Sequence, residues 1–124
     1  MRVVDANVLI AHLDEQDALH QRAGELLEAA AAEEFAASVI TLAEVLVAPA
    51  RSGKLIAARE ALHRLGVSAL PLDHGSAERL AELRSTTGLK LPDCCVLHAA
   101  EGIDGDVLTL DARLARAAGE LGLD

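Results

Sequence analysis

A chain of 124 residues that is 52% hydrophobic is long enough and apolar enough for one domain with a real core. Phe35 is its only aromatic, which argues against a module that reads RNA by stacking bases on rings and leaves a core of Leu, Val, Ile and Ala. A net charge of −9, from 20 acids against 11 basic residues, argues against nucleic-acid binding by electrostatics alone.

Arg2 to Val4 reads as an inner strand that reaches Asp5. Val8 to Leu13 reads as a short helix closed by Asp14 and Glu15. Ala18 to Ala32 carries Leu19, Ala23, Leu26, Leu27 and Ala30 at helical spacing. Ala36 to Ile40 is a second strand, and Thr41 to Glu44 matches a capping box that opens a helix. Pro49 ends or kinks that helix, and Lys54 to Leu65 forms the next, stopped by Gly66. Val67 to Leu72 is a third strand, followed by a helix from His74 to Thr87. Gly88 to Pro92 reads as a loop, Asp93 to Glu101 as a buried helix. Asp106 to Leu110 is the fourth strand, and Asp111 caps a helix from Ala112 to Gly119.

Strands alternating with helices predict an α/β fold, one domain over residues 1–124 with a central parallel sheet. Continuous apolar strands such as Val107-Leu108 call for helices on both faces. Right-handed crossovers then bring every strand's C-terminal end to one edge, where open α/β sheets bind ligands. No apolar run approaches the roughly 18 residues a membrane span needs, and Asp5 and Asn7 stand where a signal peptide would be apolar. The expected setting is cytoplasmic. Cys94 and Cys95 are neighbours that project about 100° apart on a helix, so they read as buried thiols in a reducing compartment.

Four acids fall at that strand-end edge: Asp5, Glu44, Asp93 and Asp111. Asp5 has no evident capping role, and a buried carboxylate must be paired or metal-bound. Taken singly, the other three have ordinary readings. Glu44 completes the capping box, Asp93 suits the first turn of a helix, and Asp111 is an N-cap. Taken together, four neighbouring carboxylates repel, and such a cluster persists when a divalent cation neutralises it. Oxygen-only ligands suit Mg2+ or Mn2+ rather than zinc. The five histidines read as surface or partly buried side chains, and no nucleophile motif or Gly-rich phosphate loop competes.

Four stretches in order carry a resemblance. They are Val3 to Ile10 around Asp5, Ser38 to Val45 around Glu44, Leu91 to Cys95 around Asp93, and Leu108 to Leu114 around Asp111. In these the chain resembles the PIN domain family, and within it the VapC-type ribonuclease toxins of toxin–antitoxin pairs. The resemblance implies a three-layer fold with four or five parallel strands, the fifth missing or rudimentary because the C-terminal end is short. It implies a Mg2+- or Mn2+-dependent endoribonuclease. Asp5 and Asp93 would be direct metal ligands, Glu44 and Asp111 would complete the acidic site, and Asn7 and Thr109 would orient them. It further implies an RNA substrate, a VapB-type antitoxin that inserts a segment over the site, and a homodimer. Cys94-Cys95 departs conservatively from the family's small or aliphatic residues.

Rival folds fit less well. A haloacid-dehalogenase-type phosphatase needs a second acid two residues after the first, where this chain has Asn7. A response-regulator receiver needs a lysine after a late strand, and Lys54 and Lys90 stand elsewhere. A non-catalytic binding module would be expected to lack one of the acids, and all four are present.

Overall fold

The computed structural model describes all of residues 1–124. In chain order the elements are β1 (Arg2–Val4), α1 (Ala6–Leu13), α2 (His20–Ala29), β2 (Phe35–Ser38), α3 (Val39–Arg51) and α4 (Leu55–Leu65). There follow β3 (Val67–Leu70), α5 (Ser76–Thr87), α6 (Leu91–Ile103), β4 (Asp106–Leu108) and α7 (Ala112–Glu120). The strands form one sheet in the order β3-β2-β1-β4, every pair parallel. No helix is long and apolar enough to cross a membrane.

Alternation along the strands divides the core into two layers. Val3 and Val107 face a cluster built with Leu83, Leu97 and Leu114 from α5, α6 and α7. Val4 and Leu108 face the opposite cluster, with Val8, Leu9, Leu27, Val45 and Leu62 from α1 to α4. With both faces covered, Val3 and Val4 are wholly buried, as a parallel sheet demands. Small residues do much of the filling: Ala36, Ala37 and Ala100 are all fully buried. They let helices approach the sheet closely in a chain with almost no rings.

From β1 the chain steps outward to β2 and β3, then returns past β1 to β4 on its other side, so the strand order reverses beside β1 and a crevice opens at the strands' C-terminal ends. The register sets Val3 beside Val107 and Val4 beside Leu108. Gly105 makes the pairing possible, since a Cβ there would stand 2.7 Å from the Met1 carbonyl. Beyond β4 there is no fifth strand. Instead the Val107 amide donates to the Leu123 carbonyl at 2.8 Å, and Leu123 is buried.

The main departures from expectation lie at element ends. The second strand begins one residue earlier, at Phe35, and stops at Ser38; Val39 and Ile40, read as its end, open α3 and are exposed. The capping box is therefore not formed. Ser38 is the N-cap, its hydroxyl accepting from the Ile40 amide at 3.2 Å, and Thr41 lies one turn in, fully buried with no partner for its hydroxyl. Pro49 does not end α3, which runs to Arg51. The presumed loop before Asp93 already contains the first turn of α6, where Leu91 and Pro92 are helical, Pro being well suited to that turn. The third and fourth strands end two residues sooner than expected, at Leu70 and Leu108, and α2 is confined to His20–Ala29.

The cap position is testable by equilibrium urea unfolding. Ser38→Ala should destabilise the protein by about 1 kcal/mol, the usual worth of an N-cap hydroxyl. Thr41→Val keeps the shape and removes a buried unsatisfied hydroxyl, so it should be neutral or stabilising. The reverse order of the two would restore the capping box.

Candidate active site

Asp5 stands immediately past β1 and is 7% exposed. It does cap a helix after all: its Oδ1 accepts from the Ala6 amide at 2.8 Å and opens α1, two residues earlier than the apolar pattern suggests. Its Oδ2 accepts from the Thr109 hydroxyl at 2.7 Å, across 104 positions of chain. That hydroxyl in turn accepts from Asn7 Nδ2 at 3.4 Å and from the Asp111 amide at 3.0 Å. Asn7 Oδ1 accepts from the Leu110 amide at 3.2 Å. These bonds stitch the end of β1 to the end of β4 and fix the Asp5 carboxylate without giving it a counter-charge.

The other three acids reach the same edge from three helices. Asp93 is the third residue of α6 and half-buried. Asp111 is the N-cap of α7, where its Oδ1 accepts from the Arg113 and Leu114 amides at 2.8 and 3.3 Å. The second Asp111 oxygen is left over from the cap. Glu44 sits in the second turn of α3, beyond any cap position, and its side chain makes neither a hydrogen bond nor an ion pair. The helix-capping role open to it from sequence is gone.

The acids act on one another. Burial pushes the Asp5 carboxyl above the usual range; the Thr109 and Ala6 bonds oppose that, and Asp93 and Asp111 add to it. Glu44 is also raised, first by partial desolvation although the residue reaches solvent, then by Asp5 and Asp93. Asp93 is raised by burial and by Asp111, while Lys90 and Arg113 pull it back. No three of these side chains, nor any other three acids, histidines or cysteines, close to the distance at which they would grip a bare ion. The donor set still suits one kind of cation. Mg2+ dehydrates reluctantly and is commonly held by one or two carboxylates with several waters, which a loose ring of oxygen ligands accommodates.

Elsewhere there is little competing chemistry. Cys94 and Cys95 are buried free thiols, and burial raises both well away from thiolate. Sequence reasoning missed a polar knot in which His98 Nε2 meets the Ser76 hydroxyl at 2.9 Å and Asp73 exchanges bonds with Ser76. Asp73 faces the serine rather than the imidazole, so the order needed to activate a serine nucleophile is absent. The Asp73-to-Ser76 spacing ahead of a helix could have revealed the knot. Lys90, whose charge acts on Asp93, was also overlooked, because it lies in what read as a loop.

The profile of the PIN domain family matches residues 2–120. No curated protein matches the chain. Among solved structures it is similar to a chain of a toxin–antitoxin complex from Klebsiella pneumoniae, 28% identical with a TM-score of 0.74, over 90% of this chain and 87% of that one. It is similar to FitAcB from Neisseria gonorrhoeae, 26% identical with a TM-score of 0.71, over 96% and 94%. It shares its fold with Mycobacterium tuberculosis VapC20, a sarcin-ricin loop cleaving toxin, at 20% identity and a TM-score of 0.73, over 94% and 95%.

Raised carboxyls set a sign for the pH dependence of stability. A native group with raised pKa binds its proton more tightly than the unfolded chain does, so its ionisation costs stability at neutral pH. As pH falls from 7 toward the ordinary values of 3.8 for Asp and 4.5 for Glu, that cost should be relieved. The metal-free protein should therefore gain melting temperature over that window, and Asp93→Asn should gain less because part of the cost is already removed. A native protein whose melting temperature follows the Asp93→Asn curve throughout would show that the Asp93 carboxyl carries no such cost.

Proposed function

The chain belongs to the PIN domain family, and from that premise we propose that it is a metal-dependent endoribonuclease, the toxin of a toxin–antitoxin pair. The observation that carries the reading is the edge itself: four carboxylates share one field, and the most buried is held by a hydroxyl rather than by a cation. Nuclease activity follows from the family, and a toxin's role is supported by the likeness to toxin–antitoxin chains. RNA as substrate draws support from the shared fold with a sarcin-ricin loop cleaving toxin.

In this reading Asp5 and Asp93 would hold a Mg2+ or Mn2+ ion, with Glu44 and Asp111 holding its water ligands. When bound, the ion supplies a water of lowered pKa and offsets charge on the phosphate oxygens. Thr109 and Asn7 keep the Asp5 carboxylate in one orientation, ready before substrate arrives. Glu44 has no protein partner and reaches solvent, so its carboxylate is free to take the proton that the attacking water gives up.

The partner follows from charge. A −9 chain with an acidic cleft suits an antitoxin segment that carries arginine into the site. The exposed Val39, Ile40 and Val47 on α3 offer apolar surface to a second copy in a homodimer. A reducing, cytoplasmic setting suits the two free thiols.

Purified protein freed of antitoxin should cut RNA with Mg2+ or Mn2+ and stop with EDTA. Mn2+ at a roughly hundredfold excess over its dissociation constant should stabilise the native protein by about 2.7 kcal/mol. That increment should shrink in Asp5→Asn and Asp93→Asn, and cleavage should be lost in both. Cleavage undiminished in EDTA would sink the metal mechanism. The antitoxin is tested separately: a co-encoded basic protein should co-purify with this chain and block cleavage. If it does neither, the toxin role fails while the nuclease stands.

A further inference from the structure

We propose that Arg113 and Arg116 form a phosphate subsite for the RNA strand beside the acidic site, at the corner between α7 and the α5–α6 connection. The inference rests on the nuclease reading and says where its substrate runs.

The corner holds a cavity of about 180 Å3 lined by Arg113, Arg116, Thr86, Thr87 and Glu120 among others. Arg113 and Arg116 are three residues apart on α7 and so share a helix face. Arg113 Nη2 leans toward the Gly88 carbonyl at 3.4 Å, a long bond that leaves most of its fork of donors free. Arg116 makes no hydrogen bond and no ion pair, although Glu120 lines the same cavity. The molecule's ion pairs use other basic side chains, Arg2 and Arg79. Two unpaired guanidiniums are thus set side by side in a chain with a large excess of acids.

Their position relative to the acids gives them a task. Arg113 is the second residue past Asp111, and its charge acts on Asp93 together with that of Lys90, the N-cap of α6. None of the four acids lines the cavity; Arg113, which does, links it to the carboxylates that would hold the cation. An RNA strand whose scissile phosphate lies at the acids must pass its neighbouring phosphates along the rim. On this side the rim carries two guanidiniums, Arg113 and Arg116, against one acid, Glu120. Two planar guanidiniums can share the oxygens of one phosphate. The single Phe, Tyr or Trp side chain, Phe35, is buried, so the surface offers no such ring as a platform for bases and backbone contacts gain weight in positioning the strand.

Arg59 and Arg64 provide the comparison. They lie on α4 and line a separate surface hollow with Glu60 and His63. Removing one of those charges changes the net charge as much as removing Arg116 does.

The test uses the full chain and a fluorescein-labelled single-stranded RNA, with binding read by anisotropy in EDTA and cleavage read in Mn2+. Arg116→Gln and the double variant Arg113→Gln/Arg116→Gln should weaken binding, the double by about tenfold. The double variant should also flatten the plot of log K against log[salt] by about 0.7, the loss of one phosphate contact. In Arg116→Gln KM should rise in parallel while kcat stays within twofold, because Arg116 touches neither the reacting phosphorus nor the acids that would hold the cation. Arg64→Gln should leave binding, salt slope and KM unchanged. Cleavage by the native protein with KM and slope equal in the double variant overturns this inference and leaves the nuclease standing. A loss in Arg64→Gln matching that in Arg116→Gln overturns it as well, since general charge would then explain both. Loss of antitoxin binding without loss of RNA binding would assign the corner to the protein partner and overturn the RNA subsite. A native protein that neither binds nor cleaves RNA removes the nuclease reading itself.

Discussion

The Thr109 hydroxyl is the junction on which the site depends. It gives its proton to Asp5 and accepts from Asn7 and from the Asp111 backbone, so one oxygen fixes three of the residues around the crevice. It can do so only because β1 and β4 are paired in parallel and in register. The chemistry of the choice matters. A lysine or arginine in its place would satisfy the buried carboxylate better, but it would also cancel the charge a cation needs. A neutral donor orients Asp5 and leaves its charge in place. The acid pays for that in desolvation, which is why its proton affinity is raised despite two hydrogen bonds.

Helix starts share the cost. Asp5 caps α1, Asp111 caps α7, and Asp93 lies in the first turn of α6, so three of the four acids sit where the partial positive charge of a helix N-terminus offsets ionisation. Glu44 lacks that support, being in the second turn of α3. The fold absorbs the remaining repulsion through two apolar layers packed on both faces of the sheet. A site that is destabilising when empty and relieved by a ligand is common where function and stability compete.

Much of this was legible in the sequence because parallel sheets leave a simple trace. Val3-Val4 and Val107-Leu108 are continuous apolar pairs, and each ends just before a polar residue that lands on the functional edge. The order of strands and helices, the gathering of the acids and the thin C-terminal edge all follow from such local signals. What was not legible lies where two local signals compete. Ser38 and Thr41 are both good caps, and only the pairing of β2 with β1 and β3 stops the strand at Ser38 and puts Thr41 inside. Val39 and Ile40 have strand propensity, and the tertiary structure overrides it. Asp5 looked free of capping because its partner, the Ala6 amide, is adjacent in sequence and no helical periodicity had yet begun. The spacing among the acids was out of reach altogether, since it depends on how α3, α6 and α7 lean on the sheet.

Capping and metal binding need not exclude each other. In Asp111 the two amides of α7 both fall on Oδ1, and the other oxygen is not used by the cap. In Asp5 the helix amide and the Thr109 hydroxyl take different oxygens, but each carboxylate oxygen has two lone-pair positions and so keeps one. The helix N-terminus then does two things with one side chain: it uses part of the carboxylate to start the helix, and its dipole keeps the rest ionised. Glu44 shows the complementary case. With Ser38 taking over the cap, no structural bond holds its carboxylate, which stays exposed to solvent within the field of Asp5 and Asp93.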